Sequence, residues 1–401
     1  MKNDGLIESQ VLSLSYGRVV VKPVEKQRGL VPESYEGYQI LDPGDIVVRP
    51  TDLQNDQTSI RIGHVKNRGI ITSAYIGLHS SGDWDDLYAY QYLSVVDSSK
   101  RIYGMGRGLR QQLGWSDLKR MPCLVPPAEE QAAIVKYLAH ANARIDKAIA
   151  AKRRLASLLQ EQQRAHDDRD LNDLSSDNVN SVRLKSLLYE ADDRSTRGDE
   201  QHLSMSQKFG LVPADRISRT LTAESMAGGR ICQAGDIVLN RLKAHLGVFS
   251  VAPMSGVVSP DYTVLRTHGD VLPEFLCRKL QSPGLRPELR RRTKGIVEGF
   301  WRLYTEDFLS MRVGIPDMPS QVRIVRQIVM RDEETRRLTS KIAEEITLLQ
   351  EFRTRLVADV VTGQVDVRAI AAALPDAPES FDNTVSATDD DLEEVLGEGE
   401  E

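Results

Sequence analysis

The stretch Gln131–Glu161, QAAIVKYLAHANARIDKAIAAKRRLASLLQE, aligns without a gap on Gln321–Glu351, QVRIVRQIVMRDEETRRLTSKIAEEITLLQE. A proline-containing turn precedes both copies, and both copies end in LLQE. Each copy has the composition and periodicity of a long helix, predicted at about 35 to 40 residues. The chain is therefore predicted to contain two related helices, 190 residues apart.

The duplication extends upstream of both helices, with offsets that drift only between 187 and 191 residues. The matching pairs are LSLSYG at Leu12 and LSMSQKFG at Leu203, GDIVV at Gly44 and GDIVL at Gly235, GIITSAY at Gly69 and GVVSPDY at Gly256, and WSDLKRMPCLVPP at Trp115 and YTEDFLSMRVGIP at Tyr304. A repeat of this length indicates two related structural units with loop insertions. Short β-rich runs and a helical stretch in each predict a mixed α/β region before each long helix.

Length and composition place the chain among cytoplasmic proteins of more than one domain. Its 401 residues suffice for two domains with their own cores. No apolar run approaches the roughly 18 residues of a membrane span, and the N-terminus resembles neither a signal nor a transit peptide. The three cysteines, Cys123, Cys232 and Cys277, are widely spaced, which favours buried free thiols over disulfides or a zinc site.

Charge is distributed unevenly along the chain. The net charge is -6, but residues 376–401 hold eleven acidic groups and no basic group, so the remainder is mildly basic. The composition of residues 372–401 predicts a disordered acidic tail. A solubilising extension is the favoured interpretation of this tail, and competition for a basic groove is the alternative.

Apolar residues in both helices follow the 4-3-4-3 spacing that is typical of a coiled coil. The seam positions are Ile134, Leu138, Ala141, Ile145, Ala148, Leu155, Leu159 and Gln162 in the first helix, and Ile324, Ile328, Thr335, Leu338, Ile342, Leu349, Phe352 and Leu356 in the second. Lys152, Arg331 and Glu345 interrupt the stripe, and Gly363 is predicted to stop the second helix. Such a rod, ~54 Å long, would hold two modules more than one DNA turn apart. Packing in an ordinary core is the alternative.

Polar and basic side chains in the mixed regions suit nucleic-acid contacts. Glutamine and asparagine amides match the pattern that adenine presents in the major groove, and arginine and lysine contact guanine or phosphate. The candidate DNA-binding residues are Arg49, Gln54, Asn55, Gln57, Arg61, Arg107 and Arg110 in the first unit, and Arg241, Lys243, His245, Arg291, Arg292, Lys294 and Arg302 in the second. The loops that follow the two GDIV strands differ in sequence, although the strands themselves match. Two modules that read different DNA sequences would require such a difference.

Several motifs together resemble the DNA specificity subunit of Type I restriction-modification systems. They are LVPPAEEQAAIVKYLAHANARID from Leu124, LLQEFRTRLVADVVTGQVDVR from Leu348, GDIVLNRLKAHLG from Gly235, and GVVSPDY from Gly256. The resemblance implies an α/β (α+β) fold with two target recognition domains in a pseudo-twofold arrangement, separated by two long antiparallel coiled-coil helices. The implied segments are residues 1–126 and 180–316 for the recognition domains and residues 127–170 and 317–368 for the spacer helices.

The resemblance also implies a non-catalytic subunit that binds double-stranded DNA at a bipartite asymmetric site. Its partners would be two methyltransferase subunits, which bind S-adenosylmethionine, and a restriction subunit, which uses ATP and Mg; no membrane is involved. Partner-contacting or spacer positions would be Gln131, Ile134, Leu138, Ile145, Leu159, Gln321, Ile324, Ile328, Leu338 and Leu349. Accordingly, the sequence contains no phosphate-binding loop, no Asn/Asp-Pro-Pro-Tyr/Phe element for flipped adenine and no histidine spacing for a metal.

One departure from the duplication affects the first unit. The second unit opens with VRLKSLLYEADDRSTRGDE from Val182, whereas the first has only eleven residues before Leu12, and these do not align with it. The first recognition domain is therefore predicted to be short at its N-terminus. Two other classes stay open, a coiled-coil scaffold or inactive specificity subunit without two-site DNA binding, and a stand-alone nuclease. The hypothesis of a two-module DNA-recognition subunit predicts that Leu138→Asp leaves the modules folded but disrupts assembly.

Overall fold

The computed structural model describes residues 1–15, 17–23, 34–51, 53, 60–104, 113–172, 179–206, 209–216, 226–295 and 302–378. The chain divides into two compact units. The first comprises Met1–Lys152 and the described residues from Glu344 onward, and the second comprises Arg153–Ala343. The first unit therefore combines a mixed α and β region with a later part of the chain.

Secondary structure in the first mixed region consists of short strands followed by helices. In chain order the elements are β1 Leu12–Ser15, β2 Arg18–Val21, β3 Gln39–Leu41, β4 Ile46–Val48, β5 Ile62–His64, β6 Gly69–Ile71, β7 Ile76–Leu78, α1 Asp86–Ser98, α2 Trp115–Leu118 and the long helix α3 Ala128–Asn172.

The second mixed region has the same order of elements, with additional strands at both ends. They are β8 Asn180–Arg183, β9 Leu188–Ala191, β10 Leu203–Ser206, β11 Gly210–Pro213, β12 Arg230–Cys232, β13 Ile237–Asn240, β14 Phe249–Val251, β15 Gly256–Val258, β16 Tyr262–Thr267, α4 Pro273–Gln281, α5 Arg286–Arg292, α6 Thr305–Leu309 and β17 Arg312–Ile315. The long helix α7 Met318–Val361 and the short α8 Arg368–Ala373 follow.

Four antiparallel pairings occur in both units. In the first unit β1 pairs with β2, β3 with β6, and β4 with both β5 and β7. In the second unit β10 pairs with β11, β12 with β15, and β13 with both β14 and β16. Because these ladders are antiparallel, the mixed regions belong to the α+β class. The predicted fold named both α/β and α+β.

The GDIV motifs form the central strands β4 and β13. Their apolar residues are buried on both faces, with Val47 and Val238 each 0% exposed. The aspartate before each strand accepts a hydrogen bond from a backbone N–H three residues earlier, at 2.8 Å for both Asp45 and Asp236. The glycines preceding them have φ of 99° and 90°, a left-handed conformation in which a Cβ would be strained. This geometry explains why the motif begins Gly-Asp in both units.

Both long helices exceed the predicted length, because α3 has 45 residues and α7 has 44. The predicted stop of α7 is confirmed: the helix ends at Val361, and Gly363 has φ of 74°. In the first unit, Asp146 of α3 bonds Arg353 of α7, and Lys152 lies 2.5 Å from Glu345. Residue numbers rise along one helix as they fall along the other, so the two segments run antiparallel.

The same relation holds for the helical segments of the second unit. The Arg331 guanidinium donates to Asp167 at 2.9 Å and to Asp170 at 2.6 Å. Arg331 was one of the three charged residues that interrupt the predicted stripe, and the other two, Lys152 and Glu345, pair with each other. The interruptions are therefore ion pairs between the helices, which favour one register of the two helices over others.

Parts of the predicted seam are wrong. Leu155 and Phe352 are 49% and 55% exposed, and Gln162 is also exposed. Ile149 and Ile346, which the 3.5-residue spacing did not select, are buried instead. A straight helix has 3.6 residues per turn, so its buried stripe drifts away from a strict seven-residue repeat over several turns.

The three cysteines are free thiols. Cys232 and Cys277 are buried as predicted, and burial raises the pKa of their thiols to about 11 and about 12. Cys123 is exposed, which corrects the prediction for that residue. Within the described ranges, no helix is long and apolar enough to cross a bilayer.

Candidate nucleic-acid interface

The loop after β13 carries three of the predicted DNA-binding residues. The Asn240 side chain accepts hydrogen bonds from the backbone N–H groups of Leu242 (3.1 Å) and Lys243 (3.3 Å), which turns the chain sharply at the end of the strand. Lys243 is thereby exposed to solvent. The Arg241 guanidinium donates to the carbonyl oxygens of Asp261 (3.0 Å) and Pro260 (3.3 Å). Arg241 therefore braces the neighbouring loop while its guanidinium stays near the surface.

Helix α5 packs against the turn that contains His245 and adds a second group of cations. Arg291 pairs with Glu288 and has a side chain that is 76% exposed. Arg292 donates to Glu288 (2.6 Å), to Asp307 O (3.0 Å) and to Ser310 Oγ (2.6 Å). The Arg292 guanidinium therefore holds α5 against α6. Its role in DNA binding stays a prediction.

Lys294 and Arg302 join the same surface through a β-bridge between their backbones. Lys294 Nζ lies 2.6 Å from Asp307, and Arg302 lies 3.2 Å from Asp261. The backbone N–H of Leu303 donates to Arg241 O at 3.1 Å, which ties this segment to the loop after β13. The predicted cations of the second unit, separated by up to 61 positions in the sequence, are thus brought together. We call Arg241, Lys243, His245, Arg291, Lys294 and Arg302 the basic surface.

The electrostatics of the basic surface favour an anionic ligand. Partial burial, followed by the charges of Arg230 and Arg302, lowers the pKa of Arg241. Burial, with a contribution from Arg290, lowers the pKa of His245, which therefore contributes little positive charge at neutral pH. Mutual repulsion among the arginines would be relieved by a phosphate, and such clustering attracts nucleic-acid backbones.

A cleft of about 820 Å³ in the second unit contains three basic residues that are not among the candidate DNA-binding residues above. Arg164, Arg278 and Arg286 line it together with Phe209 and Leu246. Phe209 is 61% exposed, so an aromatic ring lies beside basic groups, a combination that binds unstacked bases. Arg286 belongs to the basic run of α5, which the sequence shows as a possible phosphate contact. Arg164 is far away in sequence, and only the fold brings it to this cleft.

In the first unit the structure corrects the prediction for Arg61. Its side chain is 0% exposed, donates to Tyr103 Oη (3.1 Å) and Thr51 O (2.5 Å), and stacks over the Tyr103 ring at 5.3 Å. A buried guanidinium cannot contact DNA. By strand pairing, Arg61 occupies the place of Val248 in the second unit, which is also buried.

Arg61 instead fastens the two ends of the amide-rich loop. Arg49 N donates to Arg61 O at 2.8 Å, and the Arg61 guanidinium donates back to Arg49 O at 3.4 Å. Arg49 itself is half-buried. Gln54, Asn55, Gln57, Arg107 and Arg110 lie outside the described residues, so their roles stay predictions.

Gln131 and Gln321 were predicted to be partner-contacting or spacer positions. Both lie on the long helices, but the structure corrects the partner contact. Both are buried, with 1% and 0% of their surfaces exposed. Gln131 Oε1 accepts from Asp85 N (2.8 Å), while its Nε2 donates to Asp83 O (2.7 Å) and Pro126 O (2.8 Å). Both N–H groups and the oxygen of the Gln131 amide thus bond to groups of its own unit.

Several positions that were predicted to contact partners or to belong to the spacer helices lie on the long helices but are core residues of their own units. The structure therefore corrects only the partner-contact part of the prediction for them. Ile134 and Leu138 pack in a cluster with Tyr88 of α1, and Ile324 and Ile328 pack in a cluster with Phe275 of α4. Ile145 is also buried, at 7% exposure. Leu159, Leu338 and Leu349 are intermediate in exposure. The side chains of Ile134, Leu138, Ile324 and Ile328 anchor the long helices to the mixed regions and are not available to another protein.

Exposed apolar residues lie elsewhere on the helices. In the first unit Leu348 and Phe352 are 61% and 55% exposed and lie one turn apart on α7. In the second unit Met318, Val322 and Val329 are 37%, 50% and 43% exposed, at spacings of four and seven residues. These residues share a helix face, so they form candidate contact stripes in place of the buried positions.

Solved structures with related folds come from Type I restriction-modification systems. The chain matches one from a study of complex assembly and conformational transition of the type I R-M system, with 16% identity, a TM-score of 0.59, and 88% of this chain and 90% of that chain covered. It also matches the HsdS subunit from Thermoanaerobacter tengcongensis, with 16% identity, a TM-score of 0.49, and coverage of 88% and 89%. No protein-family model and no curated protein sequence matches.

The chain therefore shares its fold with a structure from a type I R-M system, which agrees with the resemblance seen in its motifs. Across the described residues, no group of three or more His, Cys, Asp or Glu side chains is placed to hold a metal ion.

Proposed function

We propose that this chain is the DNA-recognition subunit of a Type I restriction-modification complex and reads a bipartite asymmetric DNA site. Each unit would read one half of the site. The basic surface would engage the second half, with Lys243, Arg291, Lys294 and Arg302 contacting phosphates or base edges. The loop between Arg49 and Arg61, with its amide side chains, would engage the first half.

The observation that supports this proposal best is that the two units share their strand pairings but differ in their surface loops. Four strand pairings and the glutamine contacts at the start of the long helix occur in both units. The loop after the central strand differs, because it carries an exposed Lys243 in the second unit and a buried Arg61 at its end in the first. A conserved framework with divergent loops is what two readers of different half-sites require.

The chemistry would belong to partner subunits in this proposal. Two methyltransferase subunits would bring S-adenosylmethionine and methylate adenine, and a restriction subunit would bring ATP and Mg. The stripe of Leu348 and Phe352 on α7 is a candidate docking surface for a methyltransferase helix, since exposed apolar side chains one turn apart suit helix packing.

Methylome sequencing tests the proposal most directly. A host expressing this chain with its neighbouring methyltransferase would be compared with a host expressing the methyltransferase alone. The proposal predicts new adenine methylation at a two-part motif with a fixed gap. A single half-site, or an inverted repeat of one, would mean that only one unit reads DNA.

The alternative function, a scaffold without sequence-specific DNA binding, predicts no new methylation. It also predicts equal competition by all duplexes in a binding assay, whereas two-site recognition predicts that only duplexes with both half-sites compete well. A stand-alone nuclease would cut DNA with magnesium alone, and the proposal predicts no such cleavage.

A further inference from the structure

The cleft in the second unit is lined by segments that lie far apart in the sequence. Arg164 belongs to α3, Phe209 lies between β10 and β11, Arg278 belongs to α4, and Arg286 begins α5. The cleft volume of about 820 Å³ falls in the range of pockets that hold small molecules, about 300–1,000 Å³. A cleft of this size suits a single nucleotide or a group of similar size rather than a double helix.

Two of the three arginines in the cleft have no acidic partner. The Arg278 guanidinium donates to Asp332 at 2.6 Å, so its charge is compensated. Across the described residues, no ion pair or side-chain hydrogen bond engages Arg164 or Arg286, and both are exposed. Glu274 is the only acidic residue among the described residues that line the cleft. The cleft therefore keeps positive charge that a bound anion would compensate.

Phe209 adds an aromatic ring to this charged cleft and is 61% exposed. The Phe209 N–H donates to Ser206 Oγ at 3.3 Å, and Leu211 N donates to Ser250 Oγ at 2.8 Å. Gly210 packs so closely that a Cβ on it would lie 2.7 Å from Ser250 Oγ. These contacts fix the backbone on both sides of Phe209 against β14, so the exposed ring has a defined place beside the arginines.

The first unit lacks this combination of side chains, although it shares the framework. Gly17 stands directly before β2, where Phe209 stands directly before β11. Thr354 aligns with Arg164 when the two long helices are matched through their common LLQE sequence. The charged and aromatic cleft is therefore a property of the second unit's side chains and not a by-product of the common fold.

The cleft adjoins the basic surface through two shared elements. Lys243 directly precedes the turn Ala244–Leu246, and Leu246 lines the cleft. Helix α5 carries Arg286 in the cleft and Arg291 in the basic surface, about 7.5 Å apart along the helix axis. A DNA strand that follows the basic surface can therefore reach the cleft.

We propose that the cleft holds one unstacked nucleotide of a DNA strand, with its phosphate bound by Arg164 and Arg286 and its base against Phe209. This inference rests on the proposed function, since that function places DNA along the basic surface. Adenine methylation takes a base out of the helical stack and so leaves unpaired nucleotides in the complex. Because every base has a π-face, stacking on an aromatic ring tolerates any sequence. The cleft would thus add affinity without adding sequence preference.

A short fluorescein-labelled oligothymidylate tests the cleft without knowledge of the DNA target. Its binding to the full-length protein is measured by fluorescence anisotropy at low salt. Arg164→Ala is expected to weaken binding at least fivefold, because a phosphate contact is lost. The matched control is Arg169→Ala, which removes an exposed arginine of the same helix outside the cleft and should leave binding unchanged.

Substitutions of Phe209 test the stacking contact separately from charge. Phe209→Ala is expected to weaken oligothymidylate binding at least fivefold, whereas Phe209→Trp should retain binding because its ring can still stack. The added indole fluorescence of Phe209→Trp is expected to fall when the oligomer binds. Since Arg164 and Phe209 are exposed, thermal unfolding midpoints should not change in any of these variants.

A free nucleotide distinguishes a DNA strand from a soluble ligand. Thymidine monophosphate should compete at least tenfold more weakly than the oligomer, because it cannot also reach the basic surface. Equal competition by the mononucleotide, or normal oligomer binding in both Arg164→Ala and Phe209→Ala, would overturn the proposal.

The cleft and the proposed function can fail independently. Normal oligomer binding in the cleft variants, together with a preference for duplexes that contain both half-sites, would remove only the cleft. Loss of oligomer binding in those variants, together with equal competition by all duplexes, would support the cleft and remove the two-site reading of DNA.

Discussion

Gln131 and Gln321 make the same three hydrogen bonds in their respective units. Gln321 Oε1 accepts from Leu272 N (2.8 Å), and its Nε2 donates to Asp270 O (3.0 Å) and Pro316 O (2.9 Å), matching the contacts of Gln131 with Asp85, Asp83 and Pro126. Asp85 and Leu272 are the N-cap residues of α1 and α4. The glutamine thus fastens the first turns of the long helix to the start of the preceding helix.

Replacing this glutamine should destabilise the unit that contains it. Gln131→Ala leaves a backbone N–H and two carbonyl oxygens without their partner, and we expect a loss of about 2–4 kcal/mol in the free energy of unfolding. Urea denaturation monitored by hydrogen exchange of α1 measures the effect. The control is Gln162→Ala, an exposed glutamine on the same helix, with an expected change within about 0.5 kcal/mol. Equal effects of the two substitutions would contradict the contact's role.

Arg61 should matter for stability of the first unit rather than for direct DNA contact. Arg61→Ala removes bonds to Thr51 and Tyr103 inside the protein and leaves a cavity, so we expect a loss of about 2–4 kcal/mol. Arg68→Ala is the control, since Arg68 forms ion pairs at the surface with a side chain that is 46% exposed. A change within about 1 kcal/mol is expected there. DNA affinity that falls without loss of stability in Arg61→Ala would restore the original prediction.

Lys243 should contribute to DNA binding through its charge. Lys243→Ala is expected to weaken binding to a duplex with the second half-site about 3- to 10-fold and to reduce the slope of log K against log salt by about one. Titrations at several salt concentrations measure both quantities. Lys185→Ala changes an exposed lysine of the same unit outside the basic surface and should leave the slope unchanged. An unchanged slope in Lys243→Ala would remove this residue from the interface.

Partner docking should depend on exposed helix positions and not on buried ones. Leu138 is 0% exposed in the core, so Leu138→Asp is expected to unfold the first unit, contrary to the original hypothesis of a folded but unassembled protein. Phe352→Asp should leave circular dichroism and the unfolding midpoint nearly unchanged while weakening co-purification with a methyltransferase subunit at least tenfold. Glu351→Ala, at an adjacent exposed position, is the control. Normal assembly in Phe352→Asp would place docking on another face.

The second unit should lose stability on mild acidification. Burial lowers the pKa of His202, and burial with the charge of Arg290 lowers the pKa of His245. The unfolded chain therefore binds more protons than the folded chain as pH falls through about 6.5, so the free energy of unfolding should decrease from pH 7.5 to pH 5.5. His202→Gln should flatten this decrease. The pH dependence of hydrogen exchange in β10 and β11 provides the measurement, and an identical slope in the variant would contradict the assignment.

The sequence by itself determined the framework. Two GDIV strands, two long helices and the stop at Gly363 follow from local patterns, because consecutive apolar residues, helical periodicity and a left-handed glycine act within a few residues of each other. The resemblance to the specificity subunits also depended on such local motifs, and the fold agrees with it.

Only the tertiary structure decided which side chains face solvent. Arg61 and Lys243 follow equivalent strands and look alike in sequence, yet one is enclosed by Thr51 and Tyr103 and the other is exposed. Gln131 looked like a partner contact in the sequence, but its side-chain amide forms hydrogen bonds with residues that are 46 and 48 positions away. Burial results from contacts between segments far apart in the chain, and neither periodicity nor residue type encodes which distant segment arrives at a given position.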